Sequence, residues 1–193
     1  LALATSTLRV INALTTEEHP CQALADCLTL KERWGDVRGK TIAFIGDGNN
    51  VATSLAQAAT MLGIHVHVAS PEGFELPMHV DSSVARVAQH GAELRRFRDP
   101  AAAVQGVDAV YTDVWTSMGN ETEVAVRRRI FGSYQVNDEL LALARPDACF
   151  LHCLPAHRGE EVTNSVMDGP ASVVFDQAEN RLHTQKALLL MLF

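Results

Sequence analysis

From Lys40 onward the chain alternates short, partly β-branched apolar runs with segments whose apolar residues recur at helical spacing, and this alternation restricts the fold more than any other feature. TIAFIG (41–46) is a compact run ending in glycine, and VATSLAQAATMLG after it sets Val51, Leu55, Ala58, Ala59 and Leu62 three or four apart. One strand followed by one helix is the expectation. HVHVAS (65–70) reads as the next strand, with Asp81 a possible cap for the helix carrying Val84, Val87 and Ala88. Asp99 and Pro100 open a short helix before the strand DAVYTDVW, and Asn120 and Glu123 have capping-box spacing ahead of another. NDELLALA starts a further helix, ACFLHC (148–153) is a fourth strand, SVVFD (172–176) a fifth, and ENRLHTQKALLLMLF is helical. Strands separated by helices require right-handed crossovers, so the expected fold is α/β: a doubly wound, largely parallel sheet with helices on both faces, Rossmann-like. The segment NALTTEEHPCQALADCLTLKERWG precedes all strands and reads as an N-terminal connector helix.

The remaining bulk properties narrow the class. A chain of 193 residues buries roughly 70% of its unfolded surface and needs no disulfide staple. The formal charge of −7, without a clustered basic run, argues against nucleic acid or an anionic membrane as the main partner. No apolar stretch is long enough to span a bilayer, and the first residues lack the pattern of a cleaved leader. Four cysteines without framework spacing fit a reducing compartment, so a cytoplasmic location is expected.

In a parallel sheet ligands bind beyond the carboxyl ends of the strands, which singles out the loops GDGNN (46–50), DVWTSMG (113–119) and HCLPAHRG (152–159). GDGNN is not a dinucleotide turn: the third glycine of that pattern is replaced by Val51, and the next strand ends in Ala69 and Ser70 with no acidic residue for a ribose. Its glycines serve the backbone, whereas Asn49 and Asn50 offer amides at a helix N-terminus, suited to a carboxylate or an amino-acid head group. Asp113 ends an apolar strand and needs a cationic partner if buried. Met118 has no core-facing periodicity, but a ligand's methylene chain would account for it. His152, Cys153 and His157 raise the question of a metal, yet no second cluster completes a ligand set, and none is expected. Cys153 is either a small buried hydrophobe or a positioning or reactive thiol.

Taken in order, HPCQ (19–22), GDGNN, DVWTSMG, HCLPAHRGEE (152–161) and FDQAENR (175–181) resemble the ornithine carbamoyltransferases, and the resemblance covers nearly the whole chain. It implies transfer of the carbamoyl group of carbamoyl phosphate to the δ-amine of L-ornithine, giving L-citrulline and phosphate without metal or organic cofactor. By matching positions, Asn50, Asp113, Ser117 and Met118 would hold ornithine. His19, Gln22, Cys153, Leu154 and Arg181 would meet carbamoyl phosphate, and Cys153 with Asp113 would orient the amine and accept its protons. The family's phosphate clamp, Ser-x-Arg-Thr-Arg, is not matched: STLRV (6–10) lacks the Thr and the second Arg in their places. The expected organisation is therefore the end of a carbamoyl phosphate domain with the connecting helix (1–38), an ornithine-binding α/β domain (39–180) and a C-terminal helix (181–193), inactive without the missing half. Intact relatives are expected to be homotrimers. The alternatives are a carbamoyltransferase for acetylornithine or putrescine, and a non-catalytic amino-acid-binding module.

Overall fold

The apolar runs become strands because a sheet covered on both faces can bury every residue along them. In the computed structural model, which describes residues 7–116 and 123–192, the strands are β1 (Thr41–Ile45), β2 (His65–Ala69), β3 (Leu94–Phe97), β4 (Ala109–Thr112) and β5 (Cys149–His152). All pair in parallel, in the order β3-β2-β1-β4-β5. Strands β4 and β5 are buried along their whole length. The helices are α1 (Pro20–Trp34), α2 (Asn50–Met61), α3 (His79–Val87), α4 (Pro100–Val104), α5 (Val124–Phe131), α6 (Asp138–Leu141), α7 (Asn164–Met167) and α8 (Val174–Leu192).

Alternate strand residues divide between two cores. Ile42, Phe44, Val66, Val68, Tyr111 and Leu151 face one side, where Leu30 of α1, Leu55 of α2 and Val84 of α3 close over them. Ala43, Ile45, Val110 and Phe150 face the other, packed with Val104 of α4, Phe131 of α5 and Val166 of α7. This is the doubly wound arrangement, and its strand order reverses between β1 and β4. Helix α1 packs against both α2 and α8, so the segment before the sheet is fastened to the last helix.

Local signals explain most element starts. The Asp99 carboxylate accepts from Ala101 N with Pro100 at the first helical position, and Asn137 caps α6 through Leu140 N. Four expectations change. SVVFD is not a strand: Ser172 forms a single bridge to Phe150, and α8 begins at Val174. The C-terminal helix thus starts well before residue 181. The fifth strand is instead β3, whose Arg95 and Arg96 disguise an edge position; Arg96 reaches back to Leu76 O and to Asp81. Asp81 therefore serves as that ion-pair partner in the first turn of α3 and not as its cap. Glu123 directly precedes α5 and bonds Arg127 at 3.1 Å, while Asn120 lies outside the described residues.

Candidate active site

The described residues that directly follow β1, β4 and β5 meet at one edge of the sheet, beside the point where strand order reverses. The turn Gly46–Asn50 is held close: Gly46 N donates to Ala69 O at 2.9 Å and Gly48 N to Phe74 O at 2.8 Å. A Cβ on Gly48 would stand 2.2 Å from Leu76 N, so only glycine lets the two backbones approach. The next residue uses both ends of its side chain. Asn49 Oδ1 caps α2 by accepting from Val51 N (3.0 Å) and Ala52 N (3.1 Å), while its Nδ2 donates to Asp113 Oδ2 at 2.7 Å. Below it, Asp47 is paired with the Arg127 guanidinium at 2.6 Å, and the same guanidinium donates to Trp115 O at 2.7 Å.

Asp113 is the centre of the first cluster and is 8% exposed. Its Oδ1 accepts from the Cys153 thiol at 2.9 Å and from Val114 N at 2.7 Å. Among the described residues none of its hydrogen-bond partners is a cation. Burial, then the Asp113 carboxylate, push the Cys153 thiol well above its ordinary range, so the sulfur carries its proton and donates it. Cys153 is therefore a thiol bonded to a carboxylate. Behind Cys153, Leu154 sits at φ 57°, a left-handed conformation costly for leucine. Its N–H donates to His152 Nδ1 at 2.9 Å, which makes Nδ1 an acceptor and places the imidazole proton on Nε2, facing Glu161 Oε1 at 3.3 Å. Glu161 Oε1 also accepts from His157 N at 2.5 Å.

The second cluster joins α1 to α8 beneath the first. Asp26 is fully buried, and its Oδ1 accepts from Gln22 Nε2 (2.8 Å), Gln177 Nε2 (2.6 Å) and Tyr111 OH (3.4 Å). Burial raises its pKa to about 7 against the opposing pull of those donors. Arg181 Nη1 donates to Gln22 Oε1 at 2.6 Å. His19 stands nearby, its pKa lowered by burial and then by the Arg181 charge, so its ring is neutral at neutral pH. Among the described residues, His19 Nδ1 and Arg181 Nε are buried without hydrogen-bond partners.

The structure therefore brings Asp113, Cys153 and Leu154 together in one cluster and His19, Gln22 and Arg181 in another. The Asp26 carboxylate adds its charge to the causes raising the Cys153 pKa, so the clusters are neighbours. Asn50 does not join Asp113: its Nδ2 donates to Thr15 O at 2.7 Å, and Asn49 takes the inner position. Ser117 and Met118 lie outside the described residues. Asp26 and Gln177 escaped the reading of single loops. The signal that could have found Asp26 is its spacing four residues after Gln22 on the buried face of α1, where a carboxyl needs a stated reason. Asp113, His152 and Cys153 bring an oxygen, a nitrogen and a sulfur within 4.8 Å of one another. Both ring nitrogens of His152 are already committed, so the trio offers a metal at most two free donors.

Comparison with known proteins gives the same outline. Residues 38–192 match the model of the Asp/Orn binding domain of aspartate/ornithine carbamoyltransferases, and residues 1–32 match that of the carbamoyl-P binding domain. The ornithine carbamoyltransferase of Acidothermus cellulolyticus is 56% identical over 185 residues, covering 95% of this chain and 59% of the relative. The solved ornithine carbamoyltransferase from Pyrococcus furiosus superposes with a TM-score of 0.91 at 53% identity, over 95% of this chain and 59% of its own. An N-acetyl-L-ornithine transcarbamylase is also similar, with a TM-score of 0.80 at 35% identity, over 91% of this chain and 57% of its own. The chain thus spans about 59% of the length of the first of these relatives.

Proposed function

The chain belongs to the aspartate/ornithine carbamoyltransferase family, and we propose that it is the ornithine-binding portion of an ornithine carbamoyltransferase. The observation that carries this is the Asp113 carboxylate, 8% exposed, bonded to a thiol and an amide but to no cation among the described residues. A buried carboxylate in that state stabilises an incoming ammonium group strongly, and the δ-amine of ornithine supplies one. Asn50, Ser117 and Met118 are assigned to the rest of the ornithine molecule, with Asn49 orienting Asp113 from behind. His19, Gln22, Leu154 and Arg181 are assigned to carbamoyl phosphate, whose polar atoms would answer His19 Nδ1 and Arg181 Nε, unpartnered among the described residues.

The chemistry follows from this placement. The amine must become neutral to attack, and the Asp113–Cys153 pair sits where it can hold the ammonium and take up its proton. A C–N bond then forms at the carbamoyl carbon, and the C–O bond to phosphate breaks with its electrons leaving on phosphate. Donors on the His19 side polarise the carbonyl oxygen as charge builds on it. Orientation of the two substrates against one another supplies much of the acceleration. Within this proposal residues 1–38 close a carbamoyl phosphate domain, 39–180 form the ornithine domain, and turnover needs the phosphate clamp that this chain does not supply. The complete enzyme is assigned a cytoplasmic location and a homotrimeric state, the latter open to sedimentation analysis.

Calorimetric titration of the chain with L-ornithine, N-acetylornithine and putrescine tests the amine specificity. Ornithine is expected to bind at least about tenfold more tightly than either competitor. Failure to bind ornithine, or a preference for the acetylated amine, overturns the assignment. Citrulline formation by the 193-residue chain alone at the rate of intact relatives would overturn the requirement for a further domain.

A further inference from the structure

We propose that Asp26 is a positioning residue that fixes which way round the side-chain amides of Gln22 and Gln177 face, and through Gln22 selects a carbamoyl group over other acyl groups. Each glutamine is held between a donor-only group and the same carboxylate oxygen. Arg181 Nη1 can only donate, so the Gln22 atom 2.6 Å from it is Oε1, and Nε2 lies 2.8 Å from Asp26 Oδ1. The backbone N–H of His152 can only donate, so the Gln177 atom 2.9 Å from it is Oε1, and Nε2 lies 2.6 Å from the same Asp26 oxygen. Asp26, Gln22 and Gln177 are all essentially inaccessible to water, so neither amide can rotate and find a solvent partner.

The consequence is chemical. With Nε2 committed to Asp26, Gln22 offers the substrate side its carbonyl oxygen, whose second lone pair remains for a ligand N–H. A carbamoyl group ends in an NH2 donor that this oxygen can accept. An acetyl group of the same shape ends in a methyl that cannot use it, and leaves it unpaired. This step rests on the assignment of Gln22 to carbamoyl phosphate made above. The groups facing Asp26 from its surroundings are Tyr111 on β4, Gln177 and Arg181 on α8, and Gln22 on its own helix; its charge also reaches Cys27 and Cys153.

Two measurements on the 193-residue chain decide the matter. In glutamine-labelled protein, the Gln22 and Gln177 side-chain amide protons should exchange with solvent far more slowly than those of exposed Gln89. Asp26→Leu, which removes the acceptor, should abolish that protection at Gln22 and weaken it at Gln177, whose Nε2 also donates to Tyr111 OH at 3.1 Å, and Asp26→Asn, which keeps an acceptor, should restore it. Unprotected amides in the native chain, or protection unchanged in Asp26→Leu, overturn the proposal. The native result and Asp26→Asn still decide if Asp26→Leu does not fold. In parallel, carbamoyl phosphate and acetyl phosphate are titrated as competing probes. The native chain should prefer the carbamoyl compound by about tenfold, and Asp26→Leu should lose most of that ratio while Asp26→Asn keeps it. A native ratio retained in Asp26→Leu overturns the proposal and leaves the Gln22 assignment intact. A native chain that binds both phosphates with no preference overturns the Gln22 assignment and the selection built on it; binding of neither would follow from the clamp that this chain does not supply, and amide exchange then judges the orienting role by itself.

Discussion

Two aspartates five positions apart flank β4, and the sheet treats them in opposite ways. Asp108, at the amino end, accepts from Lys40 Nζ at 2.8 Å and Thr41 N at 3.0 Å, with Arg145 Nε 3.5 Å away. Asp113, at the carboxyl end, accepts from an amide, a thiol and one backbone N–H. Both ends of the strand are shielded from water, with 12% of the Asp108 side chain and 8% of residue Asp113 accessible. Among the described residues the difference is thus the presence of a cation and not burial. One carboxylate is neutralised by cations of the protein itself; the other, among the described residues, is not.

The strongest way to break this contrast is Asp113→Asn. Ornithine affinity is expected to fall by on the order of 4 kcal/mol, about a thousandfold, because a buried ammonium loses its counter-charge. Calorimetry on the variant measures it, and a loss below about tenfold would mean that the amine binds elsewhere.

A third carboxyl sharpens the comparison, since Asp26 is met by amides and a phenol. Its folded pKa of about 7 lies above the ordinary 3.8, so the folded chain keeps a proton that the unfolded chain releases in between. Stability is therefore fullest below the unfolded value and declines as pH rises towards about 7, by a total on the order of 4 kcal/mol. Urea midpoints across that range should show the decline, and Asp26→Asn should flatten it.

Gly48→Ala tests whether the Asn49 contact to Asp113 depends on the backbone beneath it. The added Cβ meets the Leu76 and Glu75 backbone, at 2.2 and 2.4 Å, and a cost of about 3 kcal/mol is expected in thermal unfolding. The smallest effect should come from Asp108→Asn. Losing a partly exposed ion pair with Lys40 costs about 1 kcal/mol and leaves ornithine affinity unchanged.

How much of this was readable beforehand varies with the kind of signal. The buried strands β1, β4 and β5 announced themselves because continuous apolar runs have few other uses, and the loops after them followed from the parallel topology. An edge strand does not need that pattern, so LRRF was hidden by two arginines that serve the neighbouring helix and loop. SVVFD misled for the opposite reason: a short apolar run suits a strand or the start of a buried helix equally, and α8 claimed it. At the site, the sequence could offer Asn49 and Asn50 as equals. Only the cap of α2 decides that Asn49 turns inward to Asp113. Gln177 and Asp26 were invisible singly because each draws its meaning from a residue 151 positions away.

That last separation has a kinetic side. The strand–helix units of the sheet are close in sequence, whereas the Asp26–Gln177 bond spans 151 residues, so it is expected to form late in folding, when α8 docks on α1. Opening of α8 as a unit, with the sheet left intact, would break the glutamine pairing without unfolding the strands. In hydrogen exchange the last helix should then open as one block, at lower free energy than the central strands.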